Sequence, residues 1–181
     1  GLLSPILGWA IAKIERGKIS FTRAMVVSFF GLFTHVIIDS FTSWGTQILW
    51  PLPDRYALKT IFVIDLFYTV PLLISLIYVY RTKEQILRRT YMWRGIIISS
   101  AYLLLSCGIK LFTLNKFENA LQQQNISYTE IIVKPTAFNT ILWNANVETK
   151  EGYLLGDYSL LDTKPITFKL YKNDQSTENE I

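Results

Sequence analysis

Two uninterrupted apolar blocks decide what this chain can fold into. Residues 61–80, IFVIDLFYTVPLLISLIYVY, and 95–114, GIIISSAYLLLSCGIKLFTL, each run for 20 residues with one charge apiece. A bilayer core about 30 Å thick takes about 20 helical residues to cross. A third block, residues 24–38 (AMVVSFFGLFTHVII), is shorter but reaches that length once its flanks are included. Composition agrees: half the residues are hydrophobic, 18% are charged, and mean hydropathy is +0.27. Those values are too apolar for an ordinary soluble domain of this size.

The pattern predicts an α-helical multi-pass membrane domain over residues 1–112, with helices at about 1–12, 23–39, 60–80 and 95–112. Three of these are spans. The first, opening with LLSPILGWAIA, is too short to cross, has no basic n-region and is expected to be a partial N-terminal helix of a truncated chain. Residues 113–172 read as a linking helix followed by a small antiparallel β domain. In TILWNANVET, Ile141, Trp143, Ala145 and Val147 alternate with polar neighbours, with Leu142 blurring the period of two. The stretch KEGY suits a hairpin turn to the next strand. Residues 173–181, NDQSTENEI, read as a disordered end. Cys107 is the single cysteine and lies in an apolar block, so the sequence offers no disulfide framework, no cysteine-based zinc site and no thiol chemistry to argue.

Charge orients the spans. The segment 13–23 holds Lys13, Arg16, Lys18 and Arg23 against Glu15, and 81–94 holds Arg81, Lys83, Arg88, Arg89 and Arg94 against Glu84. Residues 39–60 balance two bases with two acids. The positive-inside rule places the two basic loops in the cytoplasm and the C-terminal domain outside. From Asn115 onward there are 9 acidic and 6 basic residues, so the net +4 charge comes from the cytoplasmic loops. No nucleic acid is expected as a partner; the lipid bilayer is. The sequon-like Asn125-Ile126-Ser127 matters only where a secretory pathway glycosylates.

Against this apolar background His35, the only histidine, and Asp39 stand out. Four residues apart on a helix, they share one face about 6 Å apart along the axis. An imidazole and a carboxylate so placed suit two ligands of a divalent metal, and equally a hydrogen-bonded pair that ties helices together. Ionisable groups in a span usually mark function. Asp65, five residues into the next block, falls at a matching depth, roughly 6–8 Å below the outer boundary. His35, Asp39 and Asp65 are therefore the candidate metal ligands. The plain reading of Asp65 is a carboxylate paired with Tyr68, Thr69 or Lys59. Between the blocks, Trp44, Trp50 and Tyr56 suit headgroup depth, and Pro51 and Pro53 stop regular structure. Asp54 and Arg55 sit in a turn there and are the candidate catalytic residues. The Arg55 guanidinium is shaped to hold a phosphate or carboxylate.

The run THVIIDSFTSWGTQILWPLPDRYAL followed by FVIDLFYTVPLL resembles the YdjM-type membrane-bound metal-dependent hydrolases, also described as LexA-binding, inner-membrane-associated hydrolases of bacteria. The shared pattern is an HxxxD element, a T-x-x-G turn, a W-P-like stop, and an aspartate leading a Thr-containing helix. It covers about residues 1–80, and the PTAFNTILW segment with its following strands resembles the outer tail of such proteins. The HxxxD spacing is also similar to that of zinc-dependent phospholipase C and P1-type nucleases, where it supplies metal ligands. Family members carry an upstream H-R-x-x-T-H-like element, whereas this chain has no histidine besides His35.

The combined expectation is a bacterial inner-membrane, multi-pass protein with a metal site near the outer face, hydrolysing a phospholipid or lipid-linked ester. Imidazole with carboxylates suits Zn²⁺ or Mn²⁺. The competing expectations are a small ion or proton transporter and a structural membrane scaffold. No inverted repeat is visible, and the ionisable groups cluster at one end rather than along a path.

Overall fold

The apolar blocks become helices and the polar tail becomes a sheet in a computed structural model that describes residues 3–16, 18–48 and 51–172. Among the described residues the helices are α1 (Ser4–Ile14), α2 (Phe21–Phe41), α3 (Leu66–Arg81) and α4 (Gln85–Gln123). The strands are β1 (Glu130–Pro135), β2 (Leu142–Thr149), β3 (Gly152–Ser159) and β4 (Phe168–Lys172). The chain divides into two compact units, residues 1–57 and 58–181. The expected disordered end and Trp50 lie outside the described residues.

In the first unit α1 packs on α2. Pro5 sits in the first turn of α1, where its missing N–H costs nothing. α2 starts at Ser20, whose Oγ accepts from the Arg23 N–H at 3.4 Å. It is 21 residues long with mean hydropathy 1.7, enough to cross a membrane.

Two boundaries in the second unit differ from the sequence expectation, each for a local reason. Asp65 does not lie inside a helix: it is the N-cap of α3, its Oδ1 accepting from the Phe67 and Tyr68 N–H groups at 2.9 and 3.2 Å. That cap moves the start of α3 from about residue 60 to Leu66. The 16 residues that remain span about 24 Å, less than a bilayer core. α4, by contrast, absorbs both the expected span and the linking helix, so residue 112 falls inside one 39-residue element. No proline interrupts residues 85–123, and the basic first turns are good helix formers. At 1.5 Å per residue α4 is about 58 Å long, so it extends well beyond any bilayer it crosses.

α4 ends in a Schellman motif. Asn125 takes φ +53°, its N–H bonds to the Gln122 carbonyl, and the Ile126 N–H bonds to the Leu121 carbonyl, both at 3.0 Å. α3 and α4 pack closely through Ser75 and Gly95. The Ser75 hydroxyl donates to the Tyr91 carbonyl, and a Cβ on Gly95 would fall 2.3 Å from Ser75 Oγ. Only glycine permits that approach.

The sheet is antiparallel with order β1-β2-β3-β4. Trp143, Ala145 and Val147 point to its buried face, as their alternation predicts, while Leu142 falls on the exposed face. The KEGY turn is the β2–β3 hairpin: Thr149 pairs with Gly152, and Lys150–Glu151 turn the chain. A sheet this small needs a cover for its apolar face. The C-terminal half of α4 supplies it: Phe117 and Leu121 are fully buried in one cluster with Val133, Trp143, Val147 and Leu154. The part of α4 beyond the apolar block is therefore the other half of the β domain's core.

Candidate functional site

His35 and Asp39 occupy the last two turns of α2 and do meet. Nε2 of His35 lies 3.3 Å from Oδ2 of Asp39, with side-chain exposures of 72% and 39%. The end of the helix beneath them is fixed. Thr42 returns both its N–H (3.0 Å) and its hydroxyl (2.8 Å) to the Asp39 carbonyl, and Ser40 Oγ donates to the Ile37 carbonyl at 2.6 Å. Asp39 therefore stands on a rigid terminus. Ligand bonds of about 2.0–2.2 Å at a tetrahedral angle place two donor atoms about 3.4 Å apart. The observed separation matches that bite, so the donor pair fits a Zn²⁺-like ion; it also fits a direct hydrogen bond.

The loop after α2 is closed on itself. Thr46 and Tyr56 exchange backbone hydrogen bonds at 3.0 and 2.9 Å, and Gln47 Nε2 donates to the Pro53 carbonyl at 3.2 Å. Gly45 makes the closure possible: its φ is +68°, and a Cβ there would lie 2.6 Å from the Ala57 Cβ. Arg55 is exposed and, with Gly45, Thr46 and Gln47, lines an open recess. Asp54 is also exposed. His35–Asp39 is the single ion-pair geometry among the described residues, so no carboxylate among them pairs with Arg55.

Asp65 has a different setting, in the second unit. It is 1% exposed. Besides capping α3, its two oxygens accept from the Tyr102 hydroxyl, 2.9 Å from each. That hydroxyl also lies 2.9 Å from Thr140 Oγ1. Thr140 is buried beside the sheet, and its carbonyl accepts from the Trp143 indole N–H at 2.7 Å. The Asp65 backbone forms a parallel bridge with Phe138. One polar network thus joins the start of α3, the middle of α4 and the chain entering β2.

Neither Tyr102 nor Thr140 is visible as a site residue in the sequence. Their partners are 37 and 38 residues apart along the chain, and a lone tyrosine in AYLLLS carries no spacing signal. The sequence offers Tyr68, Thr69 and Lys59 as partners for Asp65. Of these, Tyr68 and Thr69 are bonded through backbone N–H groups, Thr69 to the Asp65 carbonyl at 2.9 Å. Among the described residues no group of three or more His, Cys, Asp or Glu side chains is gathered so as to hold a metal ion. The structure brings His35 to Asp39 and ties Asp65 to Tyr102.

The family model for the YdjM inner membrane protein matches residues 2–115. That range holds all four helices' apolar segments, His35, Asp39 and the Asp65–Tyr102 pair; the sheet lies beyond it. No curated protein and no solved structure matches the chain.

Proposed function

The chain belongs to the YdjM inner membrane protein family, and from that premise we propose a membrane-bound, metal-dependent hydrolase whose metal is gripped by His35 and Asp39. The observation that carries this reading is the 3.3 Å bite of the pair at the end of an apolar helix. Asp65, the third carboxylate the sequence offers, lies in the second unit, where it caps α3 and accepts from Tyr102.

His35 and carboxylate oxygens would hold Zn²⁺ or Mn²⁺, which supplies an activated water and polarises an ester or phosphoryl oxygen. The chain's own residues do the rest. His35 Nε2 and Asp39 Oδ2 would be the two donor atoms, with Asp39 carried on a helix end held by Thr42. Arg55 binds an anionic group from its recess, uncompensated by any carboxylate among the described residues. Asp54 stands beside it to take or return a proton. A substrate at this depth is a phospholipid or lipid-linked ester, with α2 and α4 as full-length spans, the shorter α3 returning the chain between them, both basic loops in the cytoplasm and the sheet outside. A structural scaffold is the second reading; it is favoured by the Asp65–Tyr102–Thr140 network, which holds helices and sheet together without needing chemistry.

The test is hydrolysis of radiolabelled phospholipid by the full-length protein in bilayers, before and after chelation and with Arg55→Ala. The hydrolase reading expects release that chelation abolishes and zinc restores, and a raised KM in Arg55→Ala with metal content unchanged. Release indifferent to chelation would sink it.

A further inference from the structure

Above the apolar part of α4 lies a cleft that the metal reading does not use. Its volume is about 460 Å³, within the range of small-molecule sites. One wall is the last turns of α4, with Lys116, Asn119 and Gln123; the other is the strap 162–166 between β3 and β4, with Thr163 and Lys164. The strap is held from both ends. Asp162 accepts the Ser159 N–H on Oδ2 at 3.1 Å, and Gln124 Nε2 donates to the Ile166 carbonyl at 2.9 Å. Ile166 is buried in the sheet's core cluster. The walls are therefore in place before any ligand arrives.

The lining is rich in donors. Two ammonium groups, three carboxamides and two hydroxyls line it with one carboxylate; that carboxylate accepts a backbone N–H, Gln124 donates to Ile166, and Asn119 donates to Asn115 Oδ1 at 3.0 Å. Neither lysine is in an ion pair among the described residues. Lys116 instead lies over the Phe112 ring, 5.4 Å from its centroid. Phe112 and Leu111, one turn toward the apolar block, are exposed. The block ends near residue 114, so Lys116 and Asn119 stand about 3–8 Å above it, at the depth of phospholipid headgroups.

We propose that this cleft binds a phosphate ester of glycerol-headgroup size through Lys116, Lys164 and Asn119. The shared chemistry is a phosphate oxygen facing two ammonium groups, with hydroxyls facing the carboxamides. A lipid would run its acyl chains down Leu111 and Phe112; a soluble ester would use the cleft alone. The site uses none of His35, Asp39, Asp65 or Arg55, so it stands or falls separately from the hydrolase reading.

The test uses the full chain in phosphatidylcholine nanodiscs. One arm titrates soluble glycerol 3-phosphate by ³¹P NMR; the other measures retention of added phosphatidylglycerol by native mass spectrometry. The Lys116→Gln/Lys164→Gln double variant should lose about tenfold or more in affinity. Lys169→Gln, on the exposed face of the sheet, should stay within about twofold. Asn119→Leu fills the cleft without altering charge and should also lose binding. Retention of lipid without soluble-ester binding identifies a membrane lipid as the source, and binding of both identifies the headgroup as sufficient. Equal losses in Lys169→Gln, full binding by Asn119→Leu, or no binding of either ligand by the unaltered protein would overturn the proposal.

Discussion

Removing the Tyr102 hydroxyl should cost the protein more than any other single-atom change in its membrane region. That oxygen lies 2.9 Å from both Asp65 oxygens and 2.9 Å from Thr140 Oγ1. In Tyr102→Phe, Oδ1 of Asp65 keeps the Phe67 and Tyr68 N–H groups. Oδ2 is left with no partner among the described residues, on a side chain that is 1% exposed. A hydrogen bond to a charged group contributes about 1.5–3 kcal/mol, and stranding a buried acceptor costs a similar amount. Interhelical bonds in membrane proteins average nearer 0.6 kcal/mol, because the unfolded chain finds other partners. A buried carboxylate finds substitutes less easily, so about 2 kcal/mol is expected, roughly a 30-fold shift in the unfolding equilibrium. Reversible unfolding in mixed micelles measures it. A double-mutant cycle with Thr140→Val should give a coupling above about 0.5 kcal/mol, the limit for independent sites. A loss under 0.5 kcal/mol with additive behaviour would refute the network as a tie between helices and sheet.

Other perturbations separate the remaining claims. Trp143→Ala empties the centre of the β domain's core and should destabilise it by about 3–5 kcal/mol, read by thermal unfolding. Gly95→Val forces apart α3 and α4 and should cost about 1–3 kcal/mol, whereas Gly108→Val, with nothing within 4 Å of its added Cβ, should be mild. Cysteines replacing Arg16 and Arg88 in a Cys107→Ser background should be shielded from an impermeant thiol reagent in intact cells, while one replacing Lys150 reacts. The reverse pattern would overturn the outward sheet.

Local patterns made much of this molecule readable in advance, and long-range ones did not. Period-two alternation at Trp143, Ala145 and Val147 revealed the buried face of β2, because strand geometry ties face to parity. The HxxxD spacing revealed that His35 and Asp39 meet, because helix geometry ties i to i+4. Hydropathy located α3 but missed its start: Asp65 is polar enough to cap and too isolated to break an apolar run. Hydropathy also truncated α4, since a helix leaving a membrane changes composition without changing backbone. Phe117 and Leu121 fall in the expected linking helix, yet nothing in their spacing says that a sheet covers them. Tyr102 and Thr140 were hidden for the same reason, their partnership being a product of tertiary packing.

The central claim is that His35 and Asp39 grip a metal, and metal content tests it most directly. Purified full-length protein, its His35→Ala variant and its Asp39→Ala variant are assayed together by inductively coupled plasma mass spectrometry after dialysis against trace zinc and manganese. The account predicts about one divalent ion per chain in the unaltered protein and near-complete loss in both variants, with folding preserved by circular dichroism. Unaltered protein without bound metal, or a His35→Ala variant that keeps it, would contradict the account.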